Sequence, residues 1–474
     1  MATPPGPEVI PEDTDIDTCL RILAQAKEAA PEDPRWVRVH DAAAQVYRAG
    51  KKSRKAARYA DRRQHDRELL SDAVRYQDQD PSPESASAEL PSAAPEQERR
   101  LIGARRCYVC KAAYRDVHPD YHLLCPDCAA LNAARRHARC DLRGRRALVT
   151  GGRVKIGFHV ALKLLRDGAE VIVVTRFPRD AARRFAAVPD ANDWLARLHV
   201  HGTDLLDMTA VAGLLGAVHE RFPSLDILIN NAAQTVRRPP AYYREVRAGE
   251  SEPLTGAAAR VDVADSAAPA RAALGAPPGL LALPAADGSA TAQFPAELFP
   301  AGQKDETGQP LDLRARNSWS LRLHEVDPGE WVEAHVVNAF APFLLTARLR
   351  GLLTASPWPD RYVVQVSAME GSFSRANKTV RHPHTNMAKA SLNMLTRTAA
   401  ADYAAAGILM NTVDTGWVTD ERPHPDKLAQ REAGFQPPLD VIDGAARVYD
   451  PVVRGMNGER IYGMFLKDYQ PVEW

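Results

Sequence analysis

The stretch RALVTGGRVKIGFHVALKLLRDGAEVIVVTR, residues 146–176, decides the fold of this chain. Two short apolar runs, RALVT and VIVVTR, have the length and the content of valine and leucine that are typical of buried strands. Between them, a glycine-containing turn leads into a helix that places Ile156, Val160 and Leu164 on one face. This order predicts two parallel strands joined by a crossover helix, with the amide groups at the helix N-terminus directed toward an anion such as a pyrophosphate.

The same alternation continues toward the C-terminus. Further apolar runs, LDILIN, YVVQVS and ILMNTV, are separated by amphipathic segments. Strands that are apolar throughout are typical of a parallel sheet with helices on both faces. The sequence therefore predicts an α/β fold with a doubly wound parallel sheet over residues 142–474. The alternation stops at about 235–317, in a tract rich in Ala, Pro and Gly, which we interpret as an insertion that is partly disordered or forms a lid.

The first part of the chain is predicted to be helical over residues 14–76. Asp33 and Pro34 form a good helix start, and the pattern that follows them is expected to end at Gly50. Residues 51–63 carry seven basic side chains, which indicate either a surface for nucleic acid or another acidic partner, or the solvated face of a third helix. The solvated face is favoured because no nucleic-acid-binding motif accompanies the charges. Residues 77–98, rich in Pro, Ser, Ala and Glu, are predicted to be a disordered linker.

Four of the six cysteines form two C-x2-C pairs, Cys107 with Cys110 and Cys125 with Cys128. Two tight turns that each present two thiolates can complete a tetrahedral shell of four sulfurs, which suits structural zinc. Two histidines between the pairs could substitute, but four cysteines already fill the shell. The alternatives are buried free cysteines or a redox pair. We therefore predict a small structural zinc module over residues 99–141, which could dock a protein partner.

Composition excludes several classes of protein. The 474 residues have a formal net charge of +1, so bulk electrostatics identify no partner. No apolar run reaches the ~18–20 residues of a membrane helix, so no membrane contact is expected. The N-terminal residues lack the basic and apolar segments of a secretory signal. Cysteines paired for a metal rather than for disulfides indicate a reducing compartment, and a cytoplasmic protein is expected.

The motifs at the strand ends occur in an order that resembles the short-chain dehydrogenase/reductase family. Asp204 follows the third strand, Asn230 begins the Asn-Asn-Ala-Ala sequence at the end of the fourth, and Asn338 lies in a helical segment. Ser367 ends the next strand, Lys389 lies in MAKASL, and NTVDTGWVT accompanies the sixth. The resemblance covers about 142–467, apart from the insertion. It implies a Rossmann-type fold and a nicotinamide cofactor.

The resemblance also implies which residues contact the cofactor. Gly151 and Gly157 match the first and last glycines of the family's glycine-rich turn. Lys155 occupies the place of the middle glycine, where it would crowd the pyrophosphate or reach a phosphate, as the basic residue of pteridine reductases does. Thr175 and Arg176 replace the acidic residue of NAD-binding members, which favours NADP(H) over NAD(H). The implied cofactor-binding residues are Gly151, Arg153, Lys155, Ile156, Gly157, Thr175, Arg176, Asp204, Leu205, Asn230, Ala232, Lys389, Gly416 and Thr419.

The family works through Asn, Ser, Tyr and Lys, and this chain matches two of these four positions. Asn338 and Lys389 match the first and the last. Thr385 stands at the tyrosine position, and Ala368 stands at the serine position with Ser367 one place earlier. A threonine hydroxyl is far less acidic than a phenol, whose pKa is near ~10, so it cannot donate the proton at neutral pH.

Two histidines precede the lysine in RHPHTNMAK. Imidazole is a competent acid or base near neutral pH, so we hypothesise that His382 or His384 transfers the proton together with Lys389. The alternative is that both are surface or packing residues of a degenerate site. The candidate catalytic residues are Asn338, Ser367, Thr385, Lys389, His382 and His384.

Two functions follow from this pattern. The first is an NADP-dependent oxidoreductase of the short-chain dehydrogenase/reductase type, which acts on an unknown small organic substrate with a non-standard proton donor. The second is a catalytically degenerate, cofactor-binding pseudoenzyme whose helical and zinc regions dock a protein partner. Because most Rossmann folds bind a cofactor, the first is favoured. Nucleic-acid binding is less favoured than either, and a homo-oligomer is common in the family, although no residue here specifies one.

Overall fold

The computed structural model describes residues 12–30, 32–77, 99–265, 295–305, 307–375 and 377–474. The chain divides into two compact units, one of Met1–Leu69 with Leu101–Gly103 and the other of Leu70–Arg100 with Ala104–Trp474. Apart from its first residue, the predicted linker at 77–98 lies outside the described residues. Within the described ranges, no helix is both long and apolar enough to cross a bilayer.

The predicted N-terminal helical region is present. It consists of α1 (Asp13–Glu28), α2 (Val37–Ser71) and the short α3 (Val74–Gln77). The prediction that a helix ends at Gly50 is wrong, because α2 continues through this residue. A glycine inside a helix costs only ~1 kcal/mol relative to alanine, and the Lys, Arg and Ala residues that follow favour the helix. The basic residues at 51–63 are exposed on α2.

A small module precedes the central sheet. The strands β1 (Arg100–Arg106) and β2 (Ala113–Asp116) pair antiparallel, and α4 (Pro126–Arg136) follows them. Cys125 is the N-cap of α4, and Pro126 occupies the first helical position, where its missing amide hydrogen costs nothing. The four paired cysteines therefore lie in the turn between the strands and at the start of α4.

The central sheet confirms the predicted doubly wound fold. Its strands are β3 (Arg146–Thr150), β4 (Glu170–Thr175), β5 (Leu198–Gly202), β6 (Ile227–Asn230), β7 (Asp262–Asp265), β8 (Arg361–Ser367), β9 (Ile408–Asp414), β10 (Phe465–Lys467) and β11 (Gln470–Val472). Within the described residues they form one nine-stranded sheet in the order β11-β10-β9-β8-β6-β3-β4-β5-β7. Neighbouring strands are parallel except β10 and β11. The strand order reverses between β3 and β6, which is where such sheets open a crevice for ligands.

Helices cover both faces of this sheet. The helices that follow β3 are α5 (Lys155–Arg166), α6 (Pro178–Ala186), α7 (Met208–Arg221), α8 (Arg244–Glu250), α9 (Pro328–His335), α10 (Ala341–Arg348), α11 (Arg350–Thr354), α12 (Pro383–Ala405), α13 (His424–Glu432) and α14 (Val441–Met456). In β3, Ala147 and Val149 pack with α5, α6 and α14, whereas Leu148 packs on the opposite side with α7, α10 and α12. Because both sides of the strand are buried, its three central residues are all apolar.

The described part of the segment at 235–317 is built onto one edge of the sheet. It contributes α8 and β7, and β7 pairs with β5 as the outermost strand. The Glu250 carboxylate accepts the backbone N–H groups of Arg179 (2.9 Å) and Asp180 (2.7 Å) in the first turn of α6. This part of the segment therefore extends the Rossmann-type domain, while residues 266–294 lie outside the described residues.

Candidate functional site

The turn between β3 and α5 is tightly closed. Gly151 has a φ of +69°, which favours glycine. A Cβ atom on Gly157 would lie 2.4 Å from the Gly151 carbonyl oxygen and 2.4 Å from the Asn231 side-chain nitrogen, so only glycine fits there. The Asn231 amide donates to the carbonyl oxygens of Thr150 (3.0 Å) and Gly151 (3.3 Å). Asn231 was not among the predicted residues, although it follows Asn230 in the motif that predicted this region.

The predicted residues Lys155 and Thr419 meet at one carboxylate. Lys155 Nζ lies 3.2 Å from Glu421 Oε1, and the Thr419 hydroxyl donates to the same oxygen at 2.9 Å. Burial alone would lower the pKa of Lys155, but Glu421 and another carboxylate outweigh burial and raise this pKa above its usual value. Burial would likewise raise the pKa of Glu421, but Lys155 and two further cations lower it to about 2. Lys155 is therefore a charged, paired residue at the position of the family's middle glycine.

Lys155 also has an unusual backbone conformation. Its φ is +53°, so it adopts the left-handed conformation that a glycine would adopt. This conformation costs a residue with a side chain roughly 1–2 kcal/mol. Lys155 begins α5, and no side chain caps this helix at Val154. The amide groups of the first turn of α5 are therefore not covered by a cap, as an anion site requires.

The two arginines predicted to contact the cofactor have partners in the structure. Arg153 is buried, and it donates to Asp180 (2.6 Å) and to Gln309 (2.7 Å). Arg176 donates to the Tyr243 hydroxyl at 2.8 Å, and its guanidinium carbon lies 4.7 Å from the centre of the Tyr243 ring. Gln309 and Tyr243 come from the segment that interrupts the motif series, and no local signal indicated either contact.

The other strand-end residues are used within the fold. The Thr175 hydroxyl accepts the Phe177 N–H at 3.2 Å, and Asp204 accepts the Leu206 N–H at 3.0 Å. Asn230 is buried, and its side chain donates to Thr346 (3.1 Å) and Gln365 (3.0 Å) in the sheet interior. Leu205 is buried and packs in the core, and Ala232 packs against the same core.

A cleft opens beside the glycine-containing turn. It encloses about 940 Å³, open to solvent, between the start of α5 and the loop at 418–441. Basic side chains are numerous around it and acidic ones fewer. The charged lining residues are Arg75, Arg153, Lys155, Arg184, Lys427, Arg431, Asp420 and Asp440. A cleft of this charge, next to an uncapped helix N-terminus, suits a phosphate-bearing ligand.

Asn338 lies in a π-helical turn, Val336–Phe340, between α9 and α10. Its side chain is fully buried, and it bonds twice to the backbone of Gln234. Its Oδ1 accepts the Gln234 N–H at 2.6 Å, and its Nδ2 donates to the Gln234 carbonyl at 3.0 Å. Asn338 therefore fixes the chain that leaves β6, close to the turn that Asn231 holds.

Lys389, Ser367 and Thr385 lie together where α12 packs against the end of β8. Lys389 Nζ donates to the Val366 carbonyl at 2.7 Å, and Ser367 Oγ donates to the Lys389 carbonyl at 3.5 Å. Burial lowers the pKa of Lys389 to about 8, against an opposing effect of Glu370. Thr385 lies one helical turn before Lys389, and its buried hydroxyl has no hydrogen-bond partner among the described residues.

The two candidate histidines have different surroundings. His382 is the N-cap of α12 with a φ of +42°; its ring stacks on Trp319 at 3.9 Å, and its Nδ1 lies 3.0 Å from Asn386 Oδ1. Burial lowers the pKa of His382, which favours a neutral packing residue. His384 is also buried, and its Nε2 lies 3.5 Å from the Glu330 carboxylate on α9. Glu330 was not predicted, because it is far from the histidines in sequence.

The four paired cysteines form one cluster. Their Sγ atoms all lie within 4.8 Å of one another, and those of Cys110 and Cys125 are 3.6 Å apart. Sulfurs around a tetrahedral zinc ion lie roughly 3.8 Å apart. Burial would raise the pKa of Cys107, but backbone N–H groups, including that of Cys125 at 3.3 Å, lower it to about 7. The cluster is therefore a four-thiol donor set with one sulfur that ionises readily.

Comparisons with known proteins match the same regions. Residues 145–248 match the family model described as short chain dehydrogenase, and residues 315–432 match the model described as Enoyl-(Acyl carrier protein) reductase. An uncharacterized protein of Acanthamoeba polyphaga mimivirus is 31% identical over 361 residues, which cover 73% of this chain and 71% of that protein. Because the matched region spans 361 residues, the similarity to this protein extends beyond the motifs.

The chain is also similar, over different lengths, to two proteins named as carbonyl reductases. Carbonyl reductase [NADPH] 1 of Sus scrofa is 36% identical over 89 residues, which cover 19% of this chain and 30% of that protein. The crystal structure of NADPH-bound carbonyl reductase from chicken fatty liver is 18% identical in sequence and gives a TM-score of 0.43. The match covers 70% of this chain and 100% of the reductase chain. The two family models match in chain order around the glycine-containing turn and around the helix of Lys389. The chain belongs to the short-chain dehydrogenase family.

Proposed function

We propose that the chain is an NADP(H)-dependent oxidoreductase that acts on a small organic carbonyl or alcohol. The observation that supports this most strongly is the glycine-closed turn, which leads to an uncapped helix N-terminus at a cleft lined by basic side chains. The pig relative named above is an NADPH-dependent enzyme by its name. When bound, the nicotinamide would supply or accept the hydride.

The predicted cofactor-binding residues divide the work of binding. The first-turn amides of α5 and the charged Lys155 would contact the pyrophosphate, whose charge competes with that of Glu421. Arg176 would contact the 2′-phosphate of NADP(H), since its guanidinium can form charge-assisted hydrogen bonds while it stays on the Tyr243 ring. Lys389, buried and bonded to Val366, would contact the nicotinamide ribose.

The titration of the zinc-replete protein with NADPH and NADH, followed by nicotinamide fluorescence, tests this proposal. Micromolar binding of NADPH and much weaker binding of NADH are expected. Arg176→Ala should weaken NADPH at least about tenfold, equivalent to 1.4 kcal/mol, and leave NADH unchanged. Arg247→Ala, an exposed arginine on α8, is the matched control. If neither nucleotide binds, the proposal is refuted.

The proton donor is proposed to be His384, with Glu330 as its orienting partner. Of the two candidates, His384 faces a carboxylate, whereas His382 is stacked on Trp319. A carboxylate beside an imidazole fixes the orientation of the ring. The Thr385 hydroxyl cannot replace the missing phenol as an acid. His384 would donate the proton to a carbonyl oxygen in reduction, and accept it from the alcohol in oxidation.

A panel of carbonyl substrates tests this assignment. His384→Gln and Glu330→Gln should each lower kcat about 100-fold or more, whereas His382→Gln should lower it little. His219→Gln, an exposed histidine on α7, controls for the substitution itself. Full turnover in His384→Gln would exclude His384. NADPH binding without turnover on any carbonyl or alcohol would instead support a cofactor-binding pseudoenzyme. The Thr385 hydroxyl, which has no hydrogen-bond partner in the described part of the chain, also fits this alternative.

The four-cysteine cluster is proposed to bind one structural zinc ion. All four positions are filled by protein sulfurs, so the shell has no position for a substrate. Metal analysis of the purified protein should find one zinc per chain. Cys110→Ser should lose most of it, whereas Cys19→Ser, at an exposed cysteine outside the cluster, should lose none. Equal zinc content in both variants would refute the assignment.

A further inference from the structure

The cysteine module bonds directly to one wall of the cleft. We call residues 415–440, between β9 and α14, the cleft loop; residues 418–420 and several from 427 to 440 line the cleft. This loop includes Glu421, which pairs with Lys155, and Thr419, whose hydroxyl donates to the same Glu421 oxygen. The contacts that fix its position therefore bear on how the cleft binds its ligand.

The first contact is made by a residue that lies between Cys107 and Cys110. Tyr108 follows Cys107 in the C-x2-C turn, and its hydroxyl accepts the backbone N–H of Trp417 at 3.0 Å. Trp417 packs on Phe435 further along the cleft loop, with ring centres 4.7 Å apart. The tip of the C-x2-C turn is thus bonded to the start of the cleft loop.

The second contact lies at the other end of the loop. Tyr121, between the two cysteine pairs, donates to Asp443 at 2.8 Å. Arg136, at the end of α4, donates to Asp440 at 2.6 Å and to Asp443 at 3.0 Å. Asp440 is the N-cap of α14, and its side chain accepts the Asp443 N–H at 2.8 Å. The module therefore fixes both ends of the cleft loop.

We propose that metal binding by the four cysteines positions the cleft loop for cofactor binding, with Tyr108 as the positioning residue. A metal bound to Cys107 and Cys110 would fix the turn that carries Tyr108, and so the place of its hydroxyl. Thr419 follows Trp417 by two residues, so a shift at Trp417 reaches the pair of Lys155 and Glu421. The effect on the cofactor rests on the proposed function, whereas the effect on the loop does not.

The experiment compares Tyr108→Phe with the wild type as zinc-loaded full chains. This change keeps the ring and the four thiols but removes the acceptor for the Trp417 N–H. Hydrogen exchange of peptides within 415–422, measured by mass spectrometry, should accelerate about tenfold, because the amide loses its partner. The Kd of NADPH should rise about five- to tenfold, and the zinc content should stay at one per chain. Removal of zinc with a chelator should accelerate the same peptides.

Tyr403→Phe is the matched control. It removes a hydroxyl that donates to the Thr346 carbonyl at 3.1 Å, in the core of the same domain and outside the cleft loop. Its loop exchange should equal that of the wild type. Unchanged loop exchange in Tyr108→Phe would overturn the inference, whatever NADPH does. Faster exchange with an unchanged Kd would overturn its cofactor part. If the wild type binds no NADPH but its loop responds to zinc, the proposed function fails while the positioning of the loop stands.

Discussion

Replacing Glu421 by glutamine should destabilise the protein without cofactor and yet tighten its binding of NADPH. The carboxylate is four-fifths buried, and it accepts from Lys155 Nζ at 3.2 Å and from the Thr419 hydroxyl at 2.9 Å. These partners and further cations outweigh burial and lower the pKa of Glu421 to about 2. The negative charge therefore stabilises the folded chain, but it lies where the phosphates are proposed to bind.

The size of both effects follows from this pKa. The difference between the usual 4.5 and about 2 is worth about 3 kcal/mol at neutral pH. Because the pKa is lower in the folded state, this stability is complete above about pH 4.5 and is lost as the pH falls through about 2. For the cofactor, a unit charge roughly 7 Å from another contributes about 2 kcal/mol at an effective dielectric constant of 20. We expect NADPH to bind about five- to thirtyfold more tightly to Glu421→Gln.

Urea denaturation and nicotinamide fluorescence measure the two effects separately. The unfolding free energy of Glu421→Gln should fall by about 3 kcal/mol at pH 7, and the deficit should shrink below pH 4.5. Glu432→Gln, an exposed acid on α13, should change neither quantity. Weaker NADPH binding in Glu421→Gln would refute the competition between carboxylate and phosphate for Lys155. An unchanged stability would refute the importance of the ion pair.

Three further predictions concern the family positions and the packing of glycines. Burial lowers the pKa of Lys389 to about 8. The unfolding free energy of the wild type should therefore rise by up to about 3 kcal/mol between about pH 8 and pH 10.5. Lys389→Met should lack this rise when urea denaturation is measured across the same pH range. Gly157→Ala should lower the unfolding free energy by about 1–3 kcal/mol and abolish NADPH binding, because its methyl group would collide with the Gly151 carbonyl and Asn231. Thermal unfolding and titration with NADPH measure these two effects. Gly216→Ala on α7, where the methyl group meets open space, should instead stabilise the protein by about 0.5–1 kcal/mol in the same thermal assay.

The sheet was predictable because local patterns carried the information. RALVT and VIVVTR are apolar at nearly every position, and the helix between them has one apolar face. The structure explains the pattern, since Ala147 and Val149 pack on one side of β3 and Leu148 on the other. Gly50 shows the limit of such signals. One glycine was interpreted as a helix end, although the helix formers on both sides of it outweigh its cost.

The partners of the site residues were not predictable, because they come from distant parts of the chain. Glu330 reaches His384 from α9, and Gln309 reaches Arg153 from beyond the residues that match the first family model. Such contacts depend on how helices and loops pack against the sheet, and no spacing in the sequence encodes them. The motifs thus predicted the region of the candidate site, but not which of its charges are already paired.

Lys155 shows why a departure from a family motif has to be judged together with its partner. Considered alone, a lysine in place of a glycine adds a strained backbone and a side chain beside the proposed pyrophosphate site. In the structure the side chain turns to Glu421, 266 positions away, and leaves the first turn of α5 without a side-chain cap. The two charges of the pair balance each other, and a phosphate that displaces the carboxylate would find a lysine already ionised. Lys155 and Glu421 then act as one unit, so the effects of replacing them should not be additive. Lys155→Met should weaken NADPH binding by a larger factor when it is added to Glu421→Gln than when it is made in the wild type.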